Sequence, residues 1–147
     1  MGAAAIHVLA DNRSEADALA FEHGWSAWID CGADGCILWD TGQTDVFLKN
    51  ARILGMDPVG ARCVALSHGH HDHAGGLAAL LAAGYAGTVF GHPDVWLRRY
   101  SRRGGTTFRS IGMGDGRLAG GIPNFTPVSD IAVLAPGVVM VTGIPRL

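Results

Sequence analysis

The chain alternates short apolar runs with stretches of helical spacing. Ile6 to Leu9 predicts a strand. Ser14 followed by Ala-rich helix formers as far as Phe21 predicts a capped helix. Trp25 to Cys31 and Cys36 to Trp39 predict two strands of a hairpin, joined through Gly32-Ala33-Asp34-Gly35. Val46 to Leu54 has helical spacing and stops at Gly55. Cys63 to Leu66 predicts a short buried strand, Leu77 to Ala83 an apolar helix closed by Gly84, and Thr88 to Phe90 a further strand. Pro93 is expected to open another helix. Residues 103 to 122 are Gly-rich and without periodicity, which predicts a loop or lid. Ile131 to Leu134 and Val138 to Val141 predict closing strands. Strands and helices in alternation, with hairpins among them, indicate α/β layers around a mixed sheet.

Composition sharpens this picture. The chain of 147 residues fits one domain. Charged residues make up 16%, against about 25% in an ordinary domain. The 48% apolar content is high for so small a body. A net charge of −2 gives no pull toward nucleic acid or an anionic membrane. No apolar run approaches the roughly 18–20 residues of a membrane span, and Met1 to Arg13 carries no secretory pattern. Cys31, Cys36 and Cys63 form no CxxC pair. An odd count without that spacing points to free thiols in a cytoplasmic protein.

The chemistry is concentrated in Leu66-Ser67-His68-Gly69-His70-His71-Asp72-His73-Ala74-Gly75-Gly76-Leu77. Four imidazoles and one carboxylate within His68 to His73 serve no core, and they are the donors that zinc and its neighbours accept. His68 and His70 alternate by two, so an extended chain points both to one side. Asp72 and His73 are expected where the chain turns toward the following helix, within reach of a second point. Two cations about 3.5–4 Å apart are the arrangement that activates water and stabilises a leaving oxygen.

A strand, H-x-H-x-D-H and then a helix resembles the metallo-β-lactamase superfamily. The resemblance implies an αββα sandwich holding two divalent metal ions, zinc first, with manganese or iron also fitting. It assigns His68 and His70 to the first metal and Asp72 and His73 to the second, with Asp72 also the catalytic carboxylate. His71 is the variable residue between them and not a ligand. Asp40, in Asp40-Thr41-Gly42 at the end of a predicted strand, would brace the ligand loop. The implied reaction is hydrolysis, in which a metal-bound water or hydroxide attacks an ester, phosphate or similar bond.

More blocks resemble one branch, the dihydropterin–ribofuranosylaminobenzene phosphate synthase-like metallo-hydrolases. They are Val8 to Asn12, Glu22 to Ser26, Leu38 to Thr44, Asn50-Ala51, Leu54-Gly55, Leu66 to Leu77, His92-Pro93-Asp94 and Gly143 to Arg146. That branch implies an alternative function: a transferase or synthase joining a dihydropterin to a ribofuranosylaminobenzene phosphate. Either way the partner is a small molecule, phosphate-bearing in the second case. Asp11, Asn12, Glu22, His23 and His92 are candidates for its pocket, although a lone histidine is commonly a hydrogen-bonded structural residue and His92 is placed to cap a helix. The basic run Arg98, Arg99, Arg102 and Arg103 could receive a phosphate or form a solvated helix end. Gly112-Met113-Gly114-Asp115-Gly116 lacks the setting of a dinucleotide fingerprint and is expected to be loop.

The ligand count falls short. After His73 the only histidine is His92, whereas the family places further ligands downstream. The expectation is therefore the N-terminal half of the sandwich, a mixed sheet with flanking helices spanning 1–147 and truncated at the C-terminus. Its uncovered apolar face would seek a homo-oligomer or a complementary C-terminal half. Such a chain alone would bind metal weakly, which leaves an inactive or split half-domain as the third functional class.

Overall fold

The computed structural model describes residues 4–102, 104–113, 118 and 121–144. Its frame is a six-stranded mixed sheet in the order β1-β2-β3-β4-β5-β8. Strands β1 (Ala5–Ala10), β2 (Ser26–Asp30) and β3 (Cys36–Trp39) pair antiparallel. Strands β4 (Cys63–Leu66), β5 (Thr88–Gly91) and β8 (Phe125–Pro127) then extend the sheet in parallel from β3. Period-2 alternation sorts the side chains. Leu38, Val64, Leu66 and Val89 face α1 (Val46–Ile53) and α3 (Leu77–Ala82), packing with Phe47, Ala51, Leu77 and Leu80 in the main core. Ile37, Cys63 and Ala65 face the other way, against Leu134 and Ala135 of β9 (Ile131–Ala135), which pairs with β10 (Val138–Val141). Helices, sheet and a hairpin thus form successive layers, as the expected α/β architecture requires.

Three expectations need correction. The helix over Ser14 to Phe21 does not form. Buried Asn50 on α1 takes both backbone groups of Ala20, accepting from its N–H at 3.0 Å and donating to its carbonyl at 2.8 Å, and also donates to the carbonyl of Leu9. That capture holds the segment as turns, and tertiary contacts outweigh the helix propensity of its alanines. Pro93 opens only a 3₁₀ turn, Pro93–Trp96, capped by the His92 ring, which accepts from the Asp94 N–H. Part of the expected loop is a strand: β7 (Phe108–Ser110) lies within it and pairs antiparallel with β6 (Tyr100–Arg102) just before it. The solvated helix end expected at the basic run is replaced by this ribbon. Arg103, residues 114–117 of the Gly-rich stretch, and the Pro145-Arg146 end of the last resembling block lie outside the described residues.

Candidate metal centre

Asp40, Ser67-His68 and His92 all follow the carboxyl ends of adjacent parallel strands, β3, β4 and β5. That edge is where open α/β sheets bind their ligands. Leaving β4, the chain passes so close beneath the Pro93–Trp96 turn that a Cβ at Gly69 would collide with the carbonyl of Val95. It then enters α2 (His71–Ala74), a single helical turn. Asp72 and His73 therefore lie within a short helix ahead of Gly75-Gly76, where the sequence suggested a turn after them.

The geometry is built on Asp40, 1% exposed and in the left-handed region at φ 56. Its carboxylate accepts from the Ser67 N–H at 2.8 Å, the Ser67 hydroxyl at 2.6 Å and His73 Nδ1 at 2.8 Å. The Ser67 hydroxyl hydrogen points to Asp40, so the Ser67 oxygen accepts from His68 Nδ1 at 2.9 Å. Both imidazoles are thereby held with Nδ1 protonated and Nε2 turned to the site. His68 Nε2 lies 3.0 Å from His70 Nδ1, and the His68 and His73 rings are 4.2 Å apart between centroids. His73 Nε2 is 3.8 Å from Asp72 Oδ2. Burial, reinforced by the neighbouring His73 and His70, lowers the pKa of His68 and keeps it in the neutral, ligating form. The hydrogen bond to Asp40 raises that of His73.

The site draws in one remote residue. The Trp25 N–H donates to the carbonyl of Asp72 at 3.0 Å, and a Cβ at Gly24 would strike that same carbonyl. This crossing lays His23 beside the centre, Nε2 at 3.4 Å from Asp72 Oδ2 and Nδ1 at 2.7 Å from Asn12 Oδ1. Asp11 accepts from Asn12. Glu22 is occupied otherwise: its carboxylate accepts from the Gln43 and Thr44 N–H groups and the Thr44 hydroxyl, fastening the turn after Asp40. His92 joins His68, Ser67, Asp94 and Arg99 along a cleft of about 660 Å³, whose other wall includes Trp39, Ile37 and Leu134. Arg99 spends one guanidinium nitrogen on the carbonyls of Val95 and Leu97.

The structure therefore gathers His68, His70, Asp72, His73, Asp40 and His23, and turns Glu22 to a bracing role. Sequence spacing contained no signal that would bring His23 to Asp72, since the link is a backbone crossing. Among the described residues, no group of three His, Cys, Asp or Glu side chains is spaced to hold a metal ion. Ligating nitrogens about 2.0–2.1 Å from a tetrahedral zinc stand about 3.3–3.4 Å apart. His68 Nε2 and His70 Nδ1, 3.0 Å apart, come near that spacing, and imidazole and carboxylate are donors of the type that divalent cations accept.

Comparison with known proteins bears on the family and the fold. The chain is 34% identical over 97 residues to the uncharacterized protein MJ0448 of Methanocaldococcus jannaschii, a match covering 65% of this chain and 37% of that one. Among solved structures it is similar to Tm1679, a metal-dependent hydrolase of the beta-lactamase superfamily, at 35% identity and a TM-score of 0.65, covering 86% of this chain and 43% of that one. A quorum-quenching N-acyl homoserine lactone lactonase shares the fold at 18% identity and a TM-score of 0.56, over 80% of this chain and 49% of its own. The chain thus spans less than half the length of each of these relatives. The family model of the metallo-beta-lactamase superfamily matches residues 20–141, most of the chain, and the chain belongs to that superfamily.

Proposed function

We propose that the protein is a metal-dependent hydrolase acting where the ligand loop meets the cleft. The observation that carries this reading is the convergence of His68 Nε2 and His70 Nδ1 at 3.0 Å, beside an Asp40 that turns His73 the same way. His68 and His70 would hold one divalent ion, zinc first, and Asp72 with His73 a second. Such ions supply a water acidified toward neutral pH and a counter-charge for the oxygen of the leaving group. The chain's own residues do the rest. Asp40 and Ser67 fix ring orientation, which protects the site from the rotamer disorder that loosens metal binding. Asp72, with His23 Nε2 3.4 Å away, would hold a proton passed during the reaction. The cleft offers an apolar wall and a polar end at His92, Asp94 and Arg99, which suits a small ester or phosphoester with an apolar body.

Metal-free protein reconstituted with zinc or manganese is expected to hydrolyse chromogenic esters or phosphodiesters, and His70→Ala to abolish turnover. Binding of metal with no hydrolysis of either class would overturn the hydrolase reading. Formation of a condensed product from a dihydropterin diphosphate and an aminobenzene ribosyl phosphate would assign the site to the transferase chemistry instead. A folded chain that takes up no metal would be the inactive half-domain.

A further inference from the structure

We infer that Arg99 receives an oxyanion of the substrate, so that the cleft takes small esters carrying their own negative charge and discriminates against neutral ones of the same shape. The inference rests on the hydrolase reading above and deepens it by naming the substrate class.

The arginines of this region are not equivalent. Arg98, Arg102 and Arg109 are exposed, whereas Arg99 is half-buried and lines the cleft with His68 and His92. Its place is built from several sides. Nη1 donates to the carbonyls of Val95 at 3.4 Å and Leu97 at 3.2 Å. A Cβ at Gly69, between His68 and His70, would come within 2.8 Å of that same Nη1, and a Cβ at Gly112 would meet the Arg99 backbone nitrogen at 2.8 Å. The Arg99 carbonyl accepts from the Ile111 N–H at 2.8 Å. The side chain is thus held against the histidine loop before a ligand arrives, which lowers the ordering cost that a long flexible side chain adds to binding. Both Nη1 protons go to carbonyls, and among the described residues the Nε–Nη2 edge of the fork is left for a ligand. That edge presents two parallel N–H groups, the match for two oxygens of a carboxylate or phosphate. The ion pairs among the described residues do not include Arg99, and Asp94, which shares the cleft, has its Oδ2 3.7 Å from His92 Nδ1. A half-buried cation without a counter-charge is a cost to the fold, and a bound oxyanion offsets it. Ile37, Trp39 and Leu134 on the other wall take the apolar body.

Calorimetric titration of the metal-free full chain with phenylphosphonate, and with its neutral dimethyl ester, tests the assignment without a metal or a reaction. The anion is expected to bind, and the neutral ester at least about tenfold more weakly. Arg99→Lys keeps a cation but not the fork, and should weaken anion binding about tenfold while leaving the neutral ester unchanged. Arg109→Gln removes a charge from the exposed ribbon and should change neither. In the unsubstituted protein the Nε–H resonance of Arg99, assigned through its side-chain carbons, should shift as phenylphosphonate is added, a readout that needs no variant to fold. Benzoate and methyl benzoate form the carboxylate arm: whichever anion binds more tightly names the oxyanion, and binding of neither overturns the assignment. Equal affinity for anion and neutral ester in both arms, equal affinity in Arg99→Lys, an equal loss in Arg109→Gln, or an Arg99 resonance that no anion moves would also overturn it. Hydrolysis by the zinc-loaded chain is read separately. Equal kcat/KM on an anionic ester and its neutral analogue would overturn the assignment and leave the hydrolase reading intact. Anion binding at Arg99 with no hydrolysis of any ester would remove the hydrolase reading and leave Arg99 as an anion-binding residue.

Discussion

One buried carboxylate, Asp40, answers three donors from two different segments. Asp40→Asn keeps a side chain that tolerates the left-handed backbone but puts an amide N–H where only acceptors serve. Zinc affinity is expected to fall about 10- to 100-fold, read by calorimetry. A buried donor left without a partner costs about 1–3 kcal/mol, so urea unfolding should show a loss of that order. Thiol chemistry gives a second residue-scale test. Burial pushes Cys63 up to about 11 and Tyr85 up to about 12. Both groups are more acidic once unfolded, so their contribution to stability is intact below pH 9 and is lost as the pH climbs through 9 toward 12. Only about one Cys63 thiol in a thousand is ionised at pH 8, and the thiolate is the reactive form. An aromatic disulfide reagent at pH 8 should therefore leave Cys63 unlabelled in the native protein and modify all three cysteines in denaturant. Native labelling of Cys63 would show the inner sheet face to be open.

At the scale of elements, Asn50 decides what the segment before β2 becomes. Asn50→Ala removes the partners of Ala20 and Leu9 and is expected to destabilise the fold by about 2–3 kcal/mol, with faster proteolysis within residues 14–21. The same residue explains where the sequence could be read and where it could not. Strands β2 and β3 are legible from the turn residues that join them, and β4, β9 and β10 as short apolar runs. Helix α1 was visible because its apolar spacing ends at Gly55. The segment from Ser14 was not, because its fate depends on a side chain 30 positions away. Strands β6 and β7 were hidden by their length, three residues each with mostly exposed side chains. The ligand loop was legible because its donors are neighbours in sequence. His23 is legible as a candidate pocket residue but its contact with Asp72 is not, because only the crossing at Gly24 makes them neighbours.

For the whole molecule, the outer face of the β9–β10 hairpin is the conspicuous liability. Ile131, Val133, Val139 and Val141 are each at least half exposed, and Val133 pairs with Val139 while Ile131 pairs with Val141. Four aliphatic side chains on one exposed ribbon favour association. Sedimentation at rising concentration is expected to show self-association, and Val133→Lys with Val139→Glu to suppress it without lowering the unfolding midpoint. Monomeric behaviour of the unsubstituted chain at high concentration would contradict this.

The ligand loop is fastened to the stretch after β7. The His71 N–H donates to the carbonyl of Ile111, the Met113 N–H donates to the carbonyl of Gly69, and His70 bridges Gly112. Ile111 in turn donates to the carbonyl of Arg99. The ribbon of β6 and β7 is thus a handle on the histidines. A single protease nick at Gly104-Gly105, far from any imidazole in sequence, would slacken their grip while the sheet stayed whole.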